Sequence, residues 1–207
     1  MDLRVGVRAV PPLARHRTDR PSLRSAEAKL SPMSESAPSA DRQTRGSIDP
    51  RVDIGHVHLK VADIERALDF YCGVLGFGLM QRYGEQAAFI SAGGYHHHIG
   101  LNTWESRGGS PPAPGTTGLY HIAIRYPTRA ALADALRRLA EAKVPLEGAS
   151  DHGVSEALYL RDPDSNGIEL YWDRPQEQWP RPAEGSEGVA MVTAPLDLNG
   201  LMAELHD

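Results

Sequence analysis

Cysteine is nearly absent: Cys72 is the single one among 207 residues, so no disulfide can staple this chain from within. Its place inside an amphipathic stretch makes it a small packed side chain of a reducing compartment, not a reactive thiol. No apolar run approaches the roughly 20 residues that a membrane-crossing helix needs. Lysine is scarce too, with three against nineteen arginines, and acidic residues outnumber basic ones 27 to 22. A formal charge of −5 and a pI near 6.0 exclude the strongly basic surface that nucleic acid or an anionic membrane selects. With 41% hydrophobic and 24% charged residues, what remains is the balance of a globular cytoplasmic protein.

Periodicity is missing as well from residues 1–50, which are dense in Arg, Pro, Ser and Ala and read as a disordered extension. Arg4, Arg8, Arg15 and Arg17 give it a faint organelle-targeting character, which Asp2 and Asp19 weaken. A start at Met33, just ahead of a short polar lead-in, accounts for the stretch better.

What is present begins at about residue 51 and runs to 175, as two similar halves at about 54–104 and 118–173. The first opens with the alternating strand IGHVHLKV. A helix capped by Asp63 follows, with Ile64, Ala67, Leu68, Tyr71 and Leu75 on one stripe and Gly76 as its stop. FGLMQRY, AAFISA and HHIGLNTW are three further strands. After the Gly/Pro-rich loop ESRGGSPPAPGTTG the order repeats: the strand LYHIAIRY, then a helix capped by Thr128 with Leu132, Leu136 and Leu139 inward. PLEGAS is a weak extended stretch, and EALYLRD and GIELYWD form a hairpin through PDSN. Strand, helix and three strands, twice over, predict an α+β fold of paired βαβββ modules with helices outside a curled mixed sheet. Residues 176–207 form a tail whose PLDLNGLMAEL segment reads as a short helix covering either the domain or a dimer interface.

Side chains on a strand alternate between its faces. If Val57, Leu59 and Val61 meet the helix, then His56, His58 and Lys60 take the other face. Likewise Ile122 and Ile124 face inward and leave His121 opposite, while Ile168, Leu170 and Trp172 leave Glu169, Tyr171 and Asp173 opposite. Three distant strands thus send metal-capable groups toward the helix-free side, where His56, His121 and Glu169 can converge. Two imidazoles and a carboxylate leave coordination positions open, as in non-heme Fe(II) oxygenases, and the same set suits Mn(II), Zn(II) or Ni(II).

The segment HVHLKVADIERALDFYCGVLGF resembles the opening of a vicinal-oxygen-chelate module. LYHIAIRY resembles the start of its second module and YLRDPDSNGIELY its closing hairpin. This resemblance to the glyoxalase, bleomycin-resistance and extradiol-dioxygenase superfamily covers about residues 52–175. It implies His56, His121 and Glu169 as metal ligands, with His58 lining the pocket. Within the superfamily the chain looks most like catechol-2,3-dioxygenases. Tyr159, ten residues before Glu169, matches a tyrosine that bonds substrate near the metal. His152 matches a histidine that stands behind the metal ligands and supports the substrate side of the site, at a shorter spacing than that branch uses. In YHHHIGLNTW the acid/base histidine falls on His97, with His98 the rival. Strand alternation would give His96, His98 and Asn102 the more polar face, and the run HHH also suits a solvent-exposed strand start. Trp104 and Tyr171 would wall the pocket.

The resemblance therefore implies an Fe(II)-dependent, or less often Mn(II)-dependent, cleavage of a catechol-like diol by O2, in a cytoplasmic homodimer of aromatic catabolism. The same scaffold also carries glyoxalase-type isomerases, thiol transferases and metal-free antibiotic-binding proteins. A glyoxalase site would need a carboxylate where His98 stands. Typical extradiol enzymes carry four such modules, and this chain has two.

Overall fold

The computed structural model describes residues 48–183 and 188–205. Met33 and the expected disordered extension through residue 47 lie outside the described residues. Residues 48–54 belong to a separate unit, in which the Arg51 guanidinium pairs with Asp49 at 2.7 Å.

In the first module β1 (Val57–Lys60) leads to α1 (Ile64–Leu68), then to β2 (Gly78–Tyr83), β3 (Ala87–Ser91) and β4 (Ile99–Asn102). The Asp63 carboxylate accepts from the Arg66 N–H at 2.9 Å, satisfying a free donor at the helix start. A single regular helix is expected through Leu75, but from Asp69 to Val74 it widens into π-helix, closed by Leu75 N–H on the Phe70 carbonyl. The wider turn accommodates two neighbouring rings, Phe70 and Tyr71, both buried and edge-on at 5.0 Å. Gly76 then takes φ +86°, a conformation that costs glycine nothing.

The second module repeats the order: β5 (Ile122–Arg125), α2 (Arg129–Glu141), β6 (Leu146–Asp151), β7 (Ser155–Arg161) and β8 (Gly167–Asp173). Strands lie in the order β1-β4-β3-β2 in one sheet and β5-β8-β7-β6 in the other, with β1/β4 and β5/β8 parallel. A parallel pair needs a long crossover, which α1 and α2 begin in their modules. The tail adds β9 (Ala194–Pro195) to the free edge of β6 and α3 (Leu198–Ala203), which packs on α2 and seats Leu201 wholly inside the core. The paired-module α+β fold is the one the sequence predicts.

Alternation also holds. Leu59, Val61, Ile122, Ile168 and Leu170 are buried, whereas His56, His58 and Lys60 are exposed. The triple histidine differs from expectation: β4 starts only at Ile99, because Gly93, at φ +72°, turns the chain and His98 closes that turn. Its N–H donates to the Ile90 carbonyl at 2.9 Å, and Nδ1 meets the Ser91 hydroxyl at 2.9 Å. Strand alternation does not govern residues 96–98.

One apolar core runs through both modules. The modules also join on the helix side: Tyr71 donates to the buried Asp162 carboxylate at 3.0 Å, and Arg66 to Asp164 at 2.6 Å. Among the described residues no strand of one sheet pairs with a strand of the other, and no helix is long and apolar enough to cross a membrane.

Candidate functional site

β5 and β8 run parallel with Ala123 opposite Glu169, so His121, just before β5, stands beside Glu169 on the open face. His121 Nε2 lies 2.9 Å from Glu169 Oε2. The close approach depends on Gly167: a Cβ there would collide with the Tyr120 carbonyl oxygen and press to 3.0 Å from His121 Cα and Cβ. The other ring nitrogen of His121, Nδ1, is buried without a hydrogen-bond partner. An imidazole nitrogen and a carboxylate oxygen at one point are a donor set that suits a divalent cation.

Glu169 is further tied through β7. The Tyr159 hydroxyl, with one proton to give, stands 3.1 Å from Glu169 Oε1 and 2.7 Å from His152 Nε2. Burial first, and the adjoining Glu169 charge second, raise the Tyr159 pKa and keep its phenol protonated. Tyr171 lies on the same face of β8 and is half-buried. Burial, followed by Asp173, raises its pKa too.

The first module carries a separate group. His56 stacks against His97 at 4.4 Å between ring centroids, and His96 is next in line, its Nδ1 2.8 Å from that of His97. His58 lies 5.3 Å from Trp104 and 6.0 Å from Phe89, and Phe89 reaches His97 at 5.0 Å. This aromatic shelf exists because β1/β4 register sets His58 against Gly100, where any Cβ would sit 2.9 Å from the imidazole ring. Shallow burial first, then the charges of neighbouring histidines, lower the His97 pKa, and burial followed by His56 lowers that of His58. Both shifts favour the neutral ring, the state a base requires.

Of the three expected ligands, one chain brings His121 and Glu169 together and leaves His56 with the histidines of its own module. Among the described residues no group of three or more His, Cys, Asp or Glu gathers in metal-holding geometry. Two shallow hollows of about 260 and 250 Å³, lined chiefly by Tyr83, Glu85, Thr103 and Arg107, share no residue with these groups. On the helix side, Arg66 of α1 and Tyr71 after it are tied to Asp164 and Asp162 of the β7–β8 turn.

The family model for the Glyoxalase/Bleomycin resistance protein/Dioxygenase superfamily matches residues 53–170, more than half the chain. The chain belongs to this superfamily. It is 41% identical over 162 residues to a catechol-2,3-dioxygenase of Bacillus subtilis (strain 168), a match covering 78% of this chain and 55% of that protein. A biphenyl-2,3-diol 1,2-dioxygenase 2 of Rhodococcus globerulus is 34% identical over 57% of this chain and 61% of its own length. The chain thus spans little more than half the length of these relatives. Among solved structures, a glyoxalase/dioxygenase from Nostoc punctiforme superposes with a TM-score of 0.52 at 20% identity, covering 63% of this chain and 99% of the other. That likeness shows the fold alone. Both of these relatives are named for dioxygenase activity, whereas the superfamily's own name spans glyoxalases, bleomycin-resistance proteins and dioxygenases.

Sequence reasoning missed Phe89 and Gly100. Phe89 was within reach, since alternation in AAFISA sends Ala88 and Ile90 to the core and Phe89 to the shelf. Gly100 becomes significant only once the β1/β4 register is known.

Proposed function

We propose that this superfamily member is a ring-cleaving dioxygenase of the extradiol type, acting with O2 on a catechol-like vicinal diol in the cytoplasm, in the breakdown of aromatic compounds. The observation that carries the reading is the Tyr159 hydroxyl between Glu169 and His152. A vicinal diol must be held by both oxygens to be oriented for cleavage, and this row offers hydrogen bonds for that hold beside a ligand carboxylate. The 41% identity to a catechol-2,3-dioxygenase supports the same substrate class.

His121 and Glu169 of one copy with His56 of a second copy would hold the divalent ion, so the working unit is a homodimer. Three features support a second copy: His56 is separated from the other two, Tyr120 flanks His121 at 78% exposure, and Trp104 beside His58 is 55% exposed. Fe(II) is the first choice, with Mn(II), Zn(II) and Ni(II) able to fill the same donors. Such an ion supplies Lewis acidity and, for Fe(II) or Mn(II), the redox capacity that ring cleavage needs.

The residues divide the remaining work. The His58–Trp104–Phe89 shelf receives the flat ring and Tyr171 borders it. His97, neutral and adjacent to His56, takes the diol proton, while Tyr159 and His152 hydrogen-bond the substrate oxygens. His98 is engaged by Ser91 and takes the lesser part. The test is anaerobic reconstitution with Fe(II), then catechol and air. The reading expects oxygen uptake with a yellow ring-cleavage product. Metal-loaded protein that turns over no catechol refutes it, and Zn(II)- or Ni(II)-dependent activity without oxygen uptake points to an isomerase.

A further inference from the structure

The tail crosses the turn that carries His152. Val192 N–H donates to the His152 carbonyl at 3.1 Å, and the Val192 carbonyl oxygen lies 2.9 Å from His152 Nδ1. The Thr193 hydroxyl stands farther off, at 3.5 Å. A carbonyl oxygen only accepts, so Nδ1 must carry the ring proton, and Nε2 then takes the Tyr159 hydroxyl proton over the shorter of that phenol's two contacts, 2.7 Å against 3.1 Å to Glu169. Free imidazole side chains in water favour the opposite arrangement, with the proton on Nε2.

The crossing segment is anchored on both sides. β9 pairs with Ser150 and Asp151 of β6. Arg129 bridges Glu156, at 2.8 Å, to Glu204, at 2.6 Å, and to the Gly200 carbonyl. Glu156, only 3% exposed, also takes Arg174, which bonds Asp151. This row of charge-assisted hydrogen bonds flanks residues 151–156 and ties them to α3. Gly153 completes the fit. It takes φ +75°, and a Cβ there would press to 2.8 Å from Pro180 Cγ and 3.3 Å from Val192 Cγ2.

We propose that the C-terminal segment 191–204 is a positioning strap for His152, whose Val192 carbonyl holds the imidazole in its Nδ1-protonated form and keeps Nε2 for exchange with Tyr159. In giving the strap a part in turnover, this rests on the proposed ring cleavage; the hydrogen-bond claim stands without it.

Nitrogen-15 NMR of the full chain at about pH 8, where an ordinary histidine is neutral, reads the claim without metal or substrate. The His152 signals are assigned by their loss in His152→Gln. The wild type is expected to carry its proton on Nδ1. Val192→Pro keeps the carbonyl but removes the N–H that seats the segment on His152, so the carbonyl should lift away and the ring shift toward Nε2–H, while Val192→Ile should leave it in place. Gly153→Ala, whose methyl pushes directly on Val192, should shift the ring the same way. A wild-type ring protonated on Nε2 alone overturns the proposal whatever the variants do, and so does a ring unshifted in both folded variants. If ring cleavage is present, Val192→Pro should lower kcat about tenfold or more with a smaller change in KM. Absence of cleavage leaves the spectroscopic result intact, so the two failures are distinct.

Discussion

His121 Nε2 and Glu169 Oε2 stand 2.9 Å apart across a parallel strand pair, though 48 positions separate them in the chain. Parallel pairing fixes this, because the β5/β8 register sets Ala123 opposite Glu169 and so brings His121 alongside it. The pair is part of a coordination sphere: two donors aimed at one point, with no third His, Cys, Asp or Glu completing a group among the described residues.

Replacing Glu169 by Gln keeps the shape and removes the charge. Mn(II) binding, read by calorimetry, should weaken by more than the roughly 10- to 100-fold that loss of a supporting hydrogen bond costs. Tyr159→Phe should stay within that smaller range for binding, yet lower catechol turnover by about 10²- to 10³-fold. Equal losses of binding in both variants would deny Tyr159 its separate role.

If the third ligand comes from a second copy, two inactive chains can repair each other. His56→Ala and Glu169→Gln, unfolded and refolded together, form mixed dimers in which one of the two sites has all its ligands. Random mixing should restore about a quarter of wild-type activity and of tight metal sites. No recovery in verified mixed dimers would mean that the ligands meet within one chain.

Gly167→Ala tests the strand contact beneath the pair. The added methyl meets the Tyr120 carbonyl and the His121 backbone, so β5 must move. Overpacking of this kind costs about 1–3 kcal/mol, and metal affinity should fall although no ligand has been touched. Wild-type affinity and melting temperature together would contradict the geometry.

The fold was legible because the modules follow simple rules: alternation in β1, β5 and β8, an Asp63 or Thr128 cap, and in the first module a glycine stop. The face on which His121 and Glu169 lie followed from alternation alone. Two things did not. The π-helical turn at Asp69–Val74 depends on how Phe70 and Tyr71 share the core, which no local pattern encodes. The separation of His56 is a matter of how the two modules pack, which involves contacts such as Tyr71–Asp162 and Arg66–Asp164 between residues more than ninety positions apart. The strap on His152 acts through a backbone carbonyl, which every residue possesses, so sequence carries no mark of it.

Alkaline pH offers a test of the packing between module cores. Burial raises the Tyr126 phenol to about 12, with Arg138 opposing the shift and Asp134 reinforcing it, and burial followed by Asp162 drives Tyr71 higher still. An acid whose folded pKa lies above its unfolded value of about 10 stabilises the fold fully below pH 10. That contribution drains away as pH rises through the folded value, for Tyr126 between about 10 and 12. Urea denaturation at a series of pH values should therefore show stability flat from neutral pH to about 10 on this account and falling beyond it. Tyr126→Phe should fall less steeply, since phenylalanine has no proton to lose, while Tyr71 keeps part of the slope. Identical alkaline limbs in the two proteins would mean that the Tyr126 phenol is as free to ionise in the folded chain as in the unfolded one.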